Sequence, residues 1–178
     1  MHFEKIKSLI RTVPDFPKPG VQFRDITTLL KDAGGFHMVI DAFAARCEGK
    51  SIDLVAGIES RGFIVGAPLA LRLDVGFVPI RKPGKLPGAK VGHDYQLEYG
   101  RDRVELHVDA ISNGGNVLLV DDLIATGGTA LAAAALIEKV GGRIVECLFV
   151  IDLPALGGRT RLDSRGYRSF ALCEFDGE

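Results

Sequence analysis

One stretch of the sequence places two carboxylates directly before a turn of small residues. Residues 117–129 read VLLVDDLIATGGT, in which an apolar run is followed by Asp121 and Asp122 and then by a turn into an alanine-rich segment. Open α/β sheets bind ligands at the carboxyl ends of their strands. Small residues let backbone N–H groups approach a phosphate, a helix N-terminus adds a favourable dipole, and threonine hydroxyls donate further hydrogen bonds. The candidate phosphate-binding residues are Ala125, Thr126, Gly127, Gly128 and Thr129.

The two aspartates are unsuited to binding the phosphate itself, because both groups are anionic. Their oxygens suit ribose hydroxyls, which donate hydrogen bonds, or a hydrated Mg²⁺. Successive strand residues point to opposite sides, so Asp121 and Asp122 should have different partners. The segment is neither a P-loop, since GxxxxGK[ST] is absent, nor a GxGxxG dinucleotide motif. A plainer alternative is that Thr126 and Thr129 only cap the following helix.

A second stretch, residues 81–94 (RKPGKLPGAKVGHD), is rich in cations, glycine and proline. It holds four basic residues, three glycines and two prolines, with no apolar periodicity. A segment of this kind inside a compact domain favours a lid or binding loop over a plain connector, although a solvated surface loop has a similar composition. Residues 95–98 and 103–108 flank Gly100 and predict an antiparallel hairpin that carries the lid.

The rest of the chain predicts the elements that would position both stretches. Short apolar runs alternate with amphipathic or alanine-rich segments, which is typical of a parallel sheet covered by helices on both faces. Before them, apolar residues at helical spacing from Phe3 to Val13 predict a helix that ends at Pro14. Pro14, Pro17 and Pro19 then force an irregular arm. Strands are predicted at 52–58, 75–80, 116–120 and 143–153, and helices at 35–48, 62–72 and 128–140.

Composition argues against several classes of protein. The chain has 178 residues, enough for one domain, and 22 basic against 23 acidic side chains give a net charge of -1, so nucleic acid is not an expected partner. Apolar runs such as 64–71 are far shorter than the roughly 20 residues of a membrane span. Residues 1–12 lack the apolar core of a signal peptide. Cys47, Cys147 and Cys173 form no CxxC pair, which fits a reducing cytosol, so we expect a cytoplasmic protein without a membrane partner.

Four motifs, in order along the chain, carry a resemblance to a known family. Residues 117–129 resemble the phosphoribosyl-pyrophosphate motif of type I phosphoribosyltransferases. The rest of the chain is similar, nearly from end to end, to the adenine phosphoribosyltransferase family. The N-terminal hood of that family resembles residues 16–26 (FPKPGVQFRDI), and its pyrophosphate loop resembles residues 59–63 (ESRGF). Its flexible catalytic loop resembles residues 81–88 together with 97–100. Residues 89–94 do not match the sequence pattern of that family, so the resemblance implies no role for Lys90 or His93.

The resemblance implies an α/β fold of the type I phosphoribosyltransferase kind, in a single domain over 1–178. A small hood (about 1–34) would precede a core (about 35–178) with a central, mainly parallel sheet flanked by helices, and the core would carry a flexible lid (about 81–100). The implied reaction is Mg²⁺-dependent transfer of phosphoribose from 5-phosphoribosyl 1-pyrophosphate to N9 of adenine, giving AMP and pyrophosphate through an oxocarbenium-like centre. The Mg²⁺ would be held mainly through the substrate, with no direct protein ligand, and the enzyme would be a homodimer.

The resemblance also implies roles for individual residues. Asp121 and Asp122 would bind the ribose, and Glu98 would be the general acid in a catalytic group with Arg61 and Arg81. The pyrophosphate would be bound by Glu59, Ser60, Arg61, Arg81, Lys82, Lys85 and Tyr99, with a cis peptide bond between Glu59 and Ser60. Adenine would be bound by Val21, Phe23 and Arg24, with Phe23 stacked on the purine and backbone atoms near Val21 and Arg24 at its polar edge.

Several of these assignments have alternatives at this stage. Phe23 could instead be a core residue, Glu98 a solvent-facing strand residue, and the lid cations part of a solvated loop. The acceptor could be another purine or orotate, although residues 23–26 (FRDI) favour adenine. A non-catalytic regulator that senses the ligand and binds DNA would need a DNA-binding region, and we expect none in this chain.

Overall fold

The computed structural model of the chain describes residues 3–97 and 100–177. Within these ranges the strands are β1 (Arg11–Pro14), β2 (Gln22–Asp25), β3 (Leu54–Ile58), β4 (Gly76–Ile80), β5 (Lys90–Leu97), β6 (Gly100–His107), β7 (Asn116–Ile124), β8 (Arg143–Asp152) and β9 (Ser169–Glu174). The helices there are α1 (Phe3–Ser8), α2 (Thr27–Leu30), α3 (Ala33–Cys47), α4 (Arg61–Leu73), α5 (Gly128–Lys139) and α6 (Gly158–Asp163). A short 3-10 turn, Pro154–Leu156, precedes α6.

Five strands form the central sheet in the order β4-β3-β7-β8-β9, and every pairing in it is parallel. The side chains of the middle strand, β7, alternate between two separate cores. Leu118 and Val120 pack with α3 and α4, whereas Val117 and Leu119 pack with α5. The predicted parallel sheet with helices on both faces is therefore confirmed.

The two helical layers follow from the sequence in different ways. α3 begins at an N-cap, where the side chain of Asp32 accepts a hydrogen bond from the backbone nitrogen of Gly35 at 2.7 Å, and it buries one apolar stripe that includes Val39 and Phe43. α5 is almost entirely alanine and other apolar residues, which suits a helix buried on most sides. Within the described ranges, no helix combines the length and the apolar character needed to cross a membrane.

Several boundaries differ from the sequence prediction. The N-terminal helix ends at Ser8, and the prediction that it runs to Pro14 is wrong, because residues 11–14 pair with β2 as an antiparallel ribbon. β7 continues past Val120 to Ile124, because the long strand β8 stays paired with it over that distance. The two aspartates of the motif therefore lie within a strand rather than after it. β9 and α6 have no counterpart among the predicted elements.

The lid begins as an irregular loop and then becomes a hairpin. β5 begins at Lys90, earlier than the predicted start at Tyr95, because its backbone pairs with β6 from that residue onward. Tyr95, Val104 and Leu106 are buried in the same core as α5. The hairpin is thus anchored on the helix that follows the small-residue turn.

The ribbon of β1 and β2 is held by an ion pair. Oδ2 of Asp25 accepts hydrogen bonds from Nε and Nη2 of Arg11, at 3.2 and 2.5 Å, and Oδ1 accepts one from the backbone nitrogen of Thr27 at 2.9 Å. These hydrogen bonds, above all those from Arg11, lower the pKa of Asp25 to about 2. Because β2 also carries Phe23, the pair fixes the strand that is predicted to meet the purine.

Asp25→Asn should destabilise the protein in a pH-dependent way. A carboxylate with a lowered folded pKa stabilises the fold fully above its unfolded pKa, and this contribution is lost as the pH falls towards the folded value. We expect a loss of about 1–2 kcal/mol in the free energy of unfolding near neutral pH. The difference in the free energy of unfolding between the variant and wild type should shrink as the pH falls from 3.8, the ordinary pKa of aspartate, towards about 2, the pKa of Asp25 in the folded protein. Urea unfolding at a series of pH values measures it.

The matched control is Asp41→Asn, which removes an exposed ion pair with Arg72. It should change the free energy of unfolding by less than about 0.5 kcal/mol at any pH. A difference between Asp25→Asn and wild type that stays constant down to the lowest pH measured would contradict the assignment.

Candidate active site

A polar cavity of about 350 Å³ opens at the carboxyl ends of β3 and β7. Parallel strands end at a common edge of the sheet, which is where ligands bind in folds of this kind. Three separate segments meet there: the loop after β3, the start of the lid, and the segment that runs from β7 into α5. Of the predicted site residues, those that line the cavity are Glu59, Ser60, Arg61, Lys82, Asp121, Asp122, Ala125, Thr126, Gly127, Gly128 and Thr129.

The small-residue turn is held in shape by a close contact with α6. Gly127 has a φ of 79°, which favours glycine, and α5 begins at the next residue. A Cβ on Gly158 would lie 2.3 Å from the carbonyl oxygen of Ala125, so only glycine allows α6 to approach the turn this closely. Arg161 donates a hydrogen bond from Nη1 to the carbonyl oxygen of Thr126 at 2.8 Å. Sequence reasoning missed both contacts, although two consecutive glycines after β8 are a signal of close approach.

Asp121 and Asp122 have different partners. Oδ1 of Asp121 accepts a hydrogen bond from the backbone nitrogen of Asp122 at 2.9 Å, whereas Oδ2 of Asp122 lies 2.9 Å from Nε of Arg61. Desolvation, and then the neighbouring charge of Asp122, raise the pKa of Asp121 well above its usual value. Desolvation also raises the pKa of Asp122, against the opposing effect of Arg61. Within the described residues, Oδ2 of Asp122 has no aligned hydrogen-bond donor, so it is available to a ligand.

Arg61 connects these carboxylates to the hood. Its guanidinium carbon lies 5.6 Å from the centre of the Phe23 ring, which is within range of a cation–π contact. Phe16 packs edge-on against Phe23, with 5.2 Å between the ring centres. Phe23 is half-buried and belongs to neither apolar core formed by the described residues, which argues against a purely structural role.

Glu59 organises the start of the lid. The peptide bond between Glu59 and Ser60 is cis. Oε2 of Glu59 accepts hydrogen bonds from Nε of Arg81 at 3.0 Å and from the backbone nitrogen of Lys82 at 2.7 Å. The bond from Arg81 in particular holds the pKa of Glu59 below its usual value, against desolvation. The carboxylate of Glu59 therefore points towards Arg81 and Lys82, and other atoms of Glu59 line the cavity.

Seven predicted site residues are not placed in the cavity. Those that are described but lie outside its lining are Val21, Phe23, Arg24, Arg81 and Lys85. Lys85 is exposed, and Arg81 is turned towards Glu59. Glu98 and Tyr99 lie outside the described residues.

The side chain of Arg24 is turned away from the cavity and fixes the hood to the C-terminal segment. Its Nη2 donates a hydrogen bond to the carbonyl oxygen of Asp176 at 2.8 Å, and its guanidinium carbon lies 4.7 Å from the centre of the Phe175 ring. Nη1 donates to the hydroxyl of Thr12 on β1. These contacts commit both terminal nitrogens of the Arg24 side chain to the protein itself.

Comparison with known proteins matches the sequence and the fold to one family. Residues 27–170 match the phosphoribosyl transferase domain. The adenine phosphoribosyltransferase of Methylobacillus flagellatus is 66% identical over 171 residues, which cover 96% of this chain and 97% of that protein. That of Nitrosospira multiformis is 64% identical over 173 residues, covering 97% and 99%. The chain belongs to the adenine phosphoribosyltransferase family.

Solved structures of adenine phosphoribosyltransferases share the fold along nearly the whole chain. The enzyme of Thermoanaerobacter pseudethanolicus is 51% identical, with a TM-score of 0.93 over 97% of this chain and 99% of that one. The enzyme of Saccharomyces cerevisiae is 42% identical, with a TM-score of 0.91 over 96% and 98% of the two chains, and its structure holds D-2,5-dideoxy-2,5-imino-altritol 1,6-bisphosphate and adenine.

Gly158→Ala should disturb the small-residue turn although residue 158 lies outside the cavity. The added Cβ would lie 2.3 Å from the carbonyl oxygen of Ala125, so the turn or α6 must shift. A displacement of about 1 Å within a site can lower the rate by about 100-fold. In steady-state assays of adenine phosphoribosyltransferase activity, we expect the KM for phosphoribosyl pyrophosphate to rise at least roughly tenfold, with the KM for adenine nearly unchanged.

The control is Gly34→Ala on α3, where the nearest atom to an added Cβ is Oδ1 of Asp32 at 3.5 Å, an ordinary contact. This variant should keep both KM values. Equal KM values for phosphoribosyl pyrophosphate in Gly158→Ala and wild type would show that the close contact does not shape the turn.

Proposed function

We propose that this chain transfers phosphoribose from 5-phosphoribosyl 1-pyrophosphate to N9 of adenine, giving AMP and pyrophosphate in purine salvage. The bond between ribose C1 and the pyrophosphate oxygen breaks, the bond between C1 and N9 forms, and the base loses a proton. The observation that carries the proposal is the single cavity in which a carboxylate pair, a small-residue turn at a helix N-terminus and the cations Arg61 and Lys82 meet. Identities of 66% and 64% to adenine phosphoribosyltransferases support adenine as the acceptor over another purine or orotate.

The 5′-phosphate fits the turn 125–129. Backbone N–H groups at the start of α5 point towards a bound anion there, and the dipole of the helix favours negative charge. The hydroxyls of Thr126 and Thr129 add donors. The ribose hydroxyls then donate to Asp121 and Asp122, and hydrogen bonds of this kind favour the ionised carboxylates and so lower their pKa values again.

The carboxylate pair also fits a magnesium ion that is held mainly through the substrate. Oδ2 of Asp122 is buried and has no aligned donor among the described residues. Asp121 and Asp122 would hold the ion through its water ligands and through the ribose hydroxyls. When bound, Mg²⁺ neutralises charge on the leaving pyrophosphate.

The pyrophosphate would be bound by donors from the loop after β3 and from the lid. Arginine offers a bidentate fork to phosphate oxygens and lysine a point charge. Glu59 would act by holding Arg81 and the backbone of Lys82 rather than by touching the anion. The proposed donors are Ser60, Arg61, Arg81, Lys82, Lys85 and Tyr99.

Adenine would lie between the hood and the carboxylate end of the cavity. Phe23 would stack on the purine, which replaces its present cation–π contact with Arg61, and backbone atoms at Val21 and Arg24 would bind the polar edge. Glu98 would take up the proton that the imidazole ring of the purine loses as the C1–N9 bond forms. In the reverse direction the resulting carboxylic acid, kept protonated by a closed lid that excludes water, would return that proton as the general acid.

We also propose that the protein is a cytoplasmic homodimer. Exposed apolar side chains on α4, Ile64 at 44% and Leu71 at 84%, support an interface. The three cysteines, all within the described ranges, are free and buried, which is consistent with a reducing compartment.

The test of function is direct. The purified protein is incubated with phosphoribosyl pyrophosphate, Mg²⁺ and, in turn, adenine, hypoxanthine, guanine, xanthine or orotate, and the nucleotide is measured by chromatography. We expect AMP from adenine and its loss when Mg²⁺ is withheld. Turnover of another base in place of adenine would contradict the role of the hood. Binding of phosphoribosyl pyrophosphate without any product would favour a regulator.

Glu98→Gln tests the proposed general acid. Glutamine keeps the size of the side chain but cannot transfer the proton, so kcat should fall by roughly 10²–10⁴-fold while the KM for phosphoribosyl pyrophosphate changes little. Glu138→Gln is the control, because Oε2 of Glu138 only accepts a hydrogen bond from Tyr167 on the surface of α5. A kcat for Glu98→Gln close to that of Glu138→Gln would assign the proton transfer to another group.

A further inference from the structure

We propose that Tyr95 is a positioning residue for the transfer reaction, because its hydroxyl ties Lys82 of the lid to Thr129 of the small-residue turn. The inference rests on the proposed function, in which these two residues meet the pyrophosphate and the 5′-phosphate of the same substrate molecule. Both line the cavity, whereas Tyr95 lies behind them and outside the lining. It belongs to none of the motifs that carry the family resemblance.

The hydroxyl of Tyr95 has a full set of partners. It accepts hydrogen bonds from Nζ of Lys82 and from Oγ1 of Thr129, both at 3.1 Å, and it donates one to Oδ2 of Asp102 at 3.0 Å. A phenol offers one donor and two acceptor positions, so each is used. The residue is only 9% exposed, and its ring is part of the core beneath the lid hairpin. A buried hydroxyl whose donor and acceptor positions are all occupied by hydrogen bonds fixes the distances between its partners.

Asp102 completes the arrangement on the side of the lid. It forms an ion pair with Nζ of Lys82, and it stands directly opposite Tyr95 in the register of β5 and β6. Desolvation opposes the charge of Lys82, but the hydrogen bonds to Asp102 and Tyr95 outweigh it and raise the pKa of the lysine. Lys82 is therefore held as a cation at the edge of the cavity.

A phosphate in the turn changes the hydrogen bonds of Tyr95. The hydroxyl of Thr129 donates a hydrogen bond to the hydroxyl oxygen of Tyr95. An oxygen of a bound phosphate would compete for that hydrogen bond. Once Thr129 donates to the phosphate, the phenol oxygen keeps only Lys82 as a donor. Occupation of one end of the cavity thus changes the hydrogen bonds of the oxygen atom that holds the cation at the other end.

Tyr95→Phe removes this oxygen and keeps the ring. Loss of a hydrogen bond to a charged group should raise the KM for phosphoribosyl pyrophosphate roughly tenfold, with the KM for adenine nearly unchanged. The melting temperature should stay within about 3 °C of wild type. The matched control is Tyr167→Phe, which removes a hydroxyl bonded to Glu138 at 2.8 Å, far from the cavity cations, and should keep both KM values.

A double-mutant cycle with Lys82→Met separates positioning from a merely structural effect. If Tyr95 acts through Lys82, Tyr95→Phe should cause little further loss in the Lys82→Met background, because residues that act through one another are not additive. The same fold-loss in both backgrounds would overturn the proposal, and so would an unchanged KM for phosphoribosyl pyrophosphate in the single variant. Asp102→Asn weakens the same network from its more exposed side and gives a second variant if Tyr95→Phe does not fold.

Titration calorimetry with phosphoribosyl pyrophosphate and Mg²⁺ keeps this proposal separate from the proposed function. Turnover by wild type with equal affinity in Tyr95→Phe would refute the role of Tyr95 and leave the function standing. Absence of turnover by wild type, with binding that weakens roughly tenfold in Tyr95→Phe, would refute the function and support the link between the lid and the turn.

Discussion

Asp121 and Asp122 lie in a strand that is covered on both faces, and charge in such a place costs free energy unless partners compensate for it. Arg61 is the partner that the protein itself supplies. It reaches the pair because α4 packs tightly on β7: a Cβ on Gly62 would lie 2.7 Å from the carbonyl oxygen of Val120. In the proposed function, the hydroxyls of a bound ribose complete the compensation.

Three cations at or near the cavity are each paired with a carboxylate. Arg61 pairs with Asp122, Arg81 with Glu59, and Lys82 with Asp102. An ion pair restricts the conformations of a long cationic side chain. In the proposed function, cations that are ordered in this way lose less freedom when a polyanion binds.

The sequence predicted the parallel sheet, and it predicted that residues 121–129 lie together at one edge of that sheet. Both predictions depend on local signals: apolar runs, a carboxylate pair and a turn of small residues. It predicted the N-terminus less well. Apolar spacing from Phe3 to Val13 suits a helix, but pairing of Arg11–Pro14 with β2 overrides it. The contact of Gly158 with Ala125 could not be predicted, since it joins residues that only the folded chain brings together.

Residues far apart in the chain hold the hood in place, and the hood carries the proposed adenine-binding residues. The hydrogen bond from Arg24 to Asp176 spans 152 residues, and α1 packs on β9 nearby. The residues that line the cavity, by contrast, all lie between Ile58 and Ala130. Damage to the C-terminal segment therefore bears first on the proposed purine side, although that side is built from the other end of the chain.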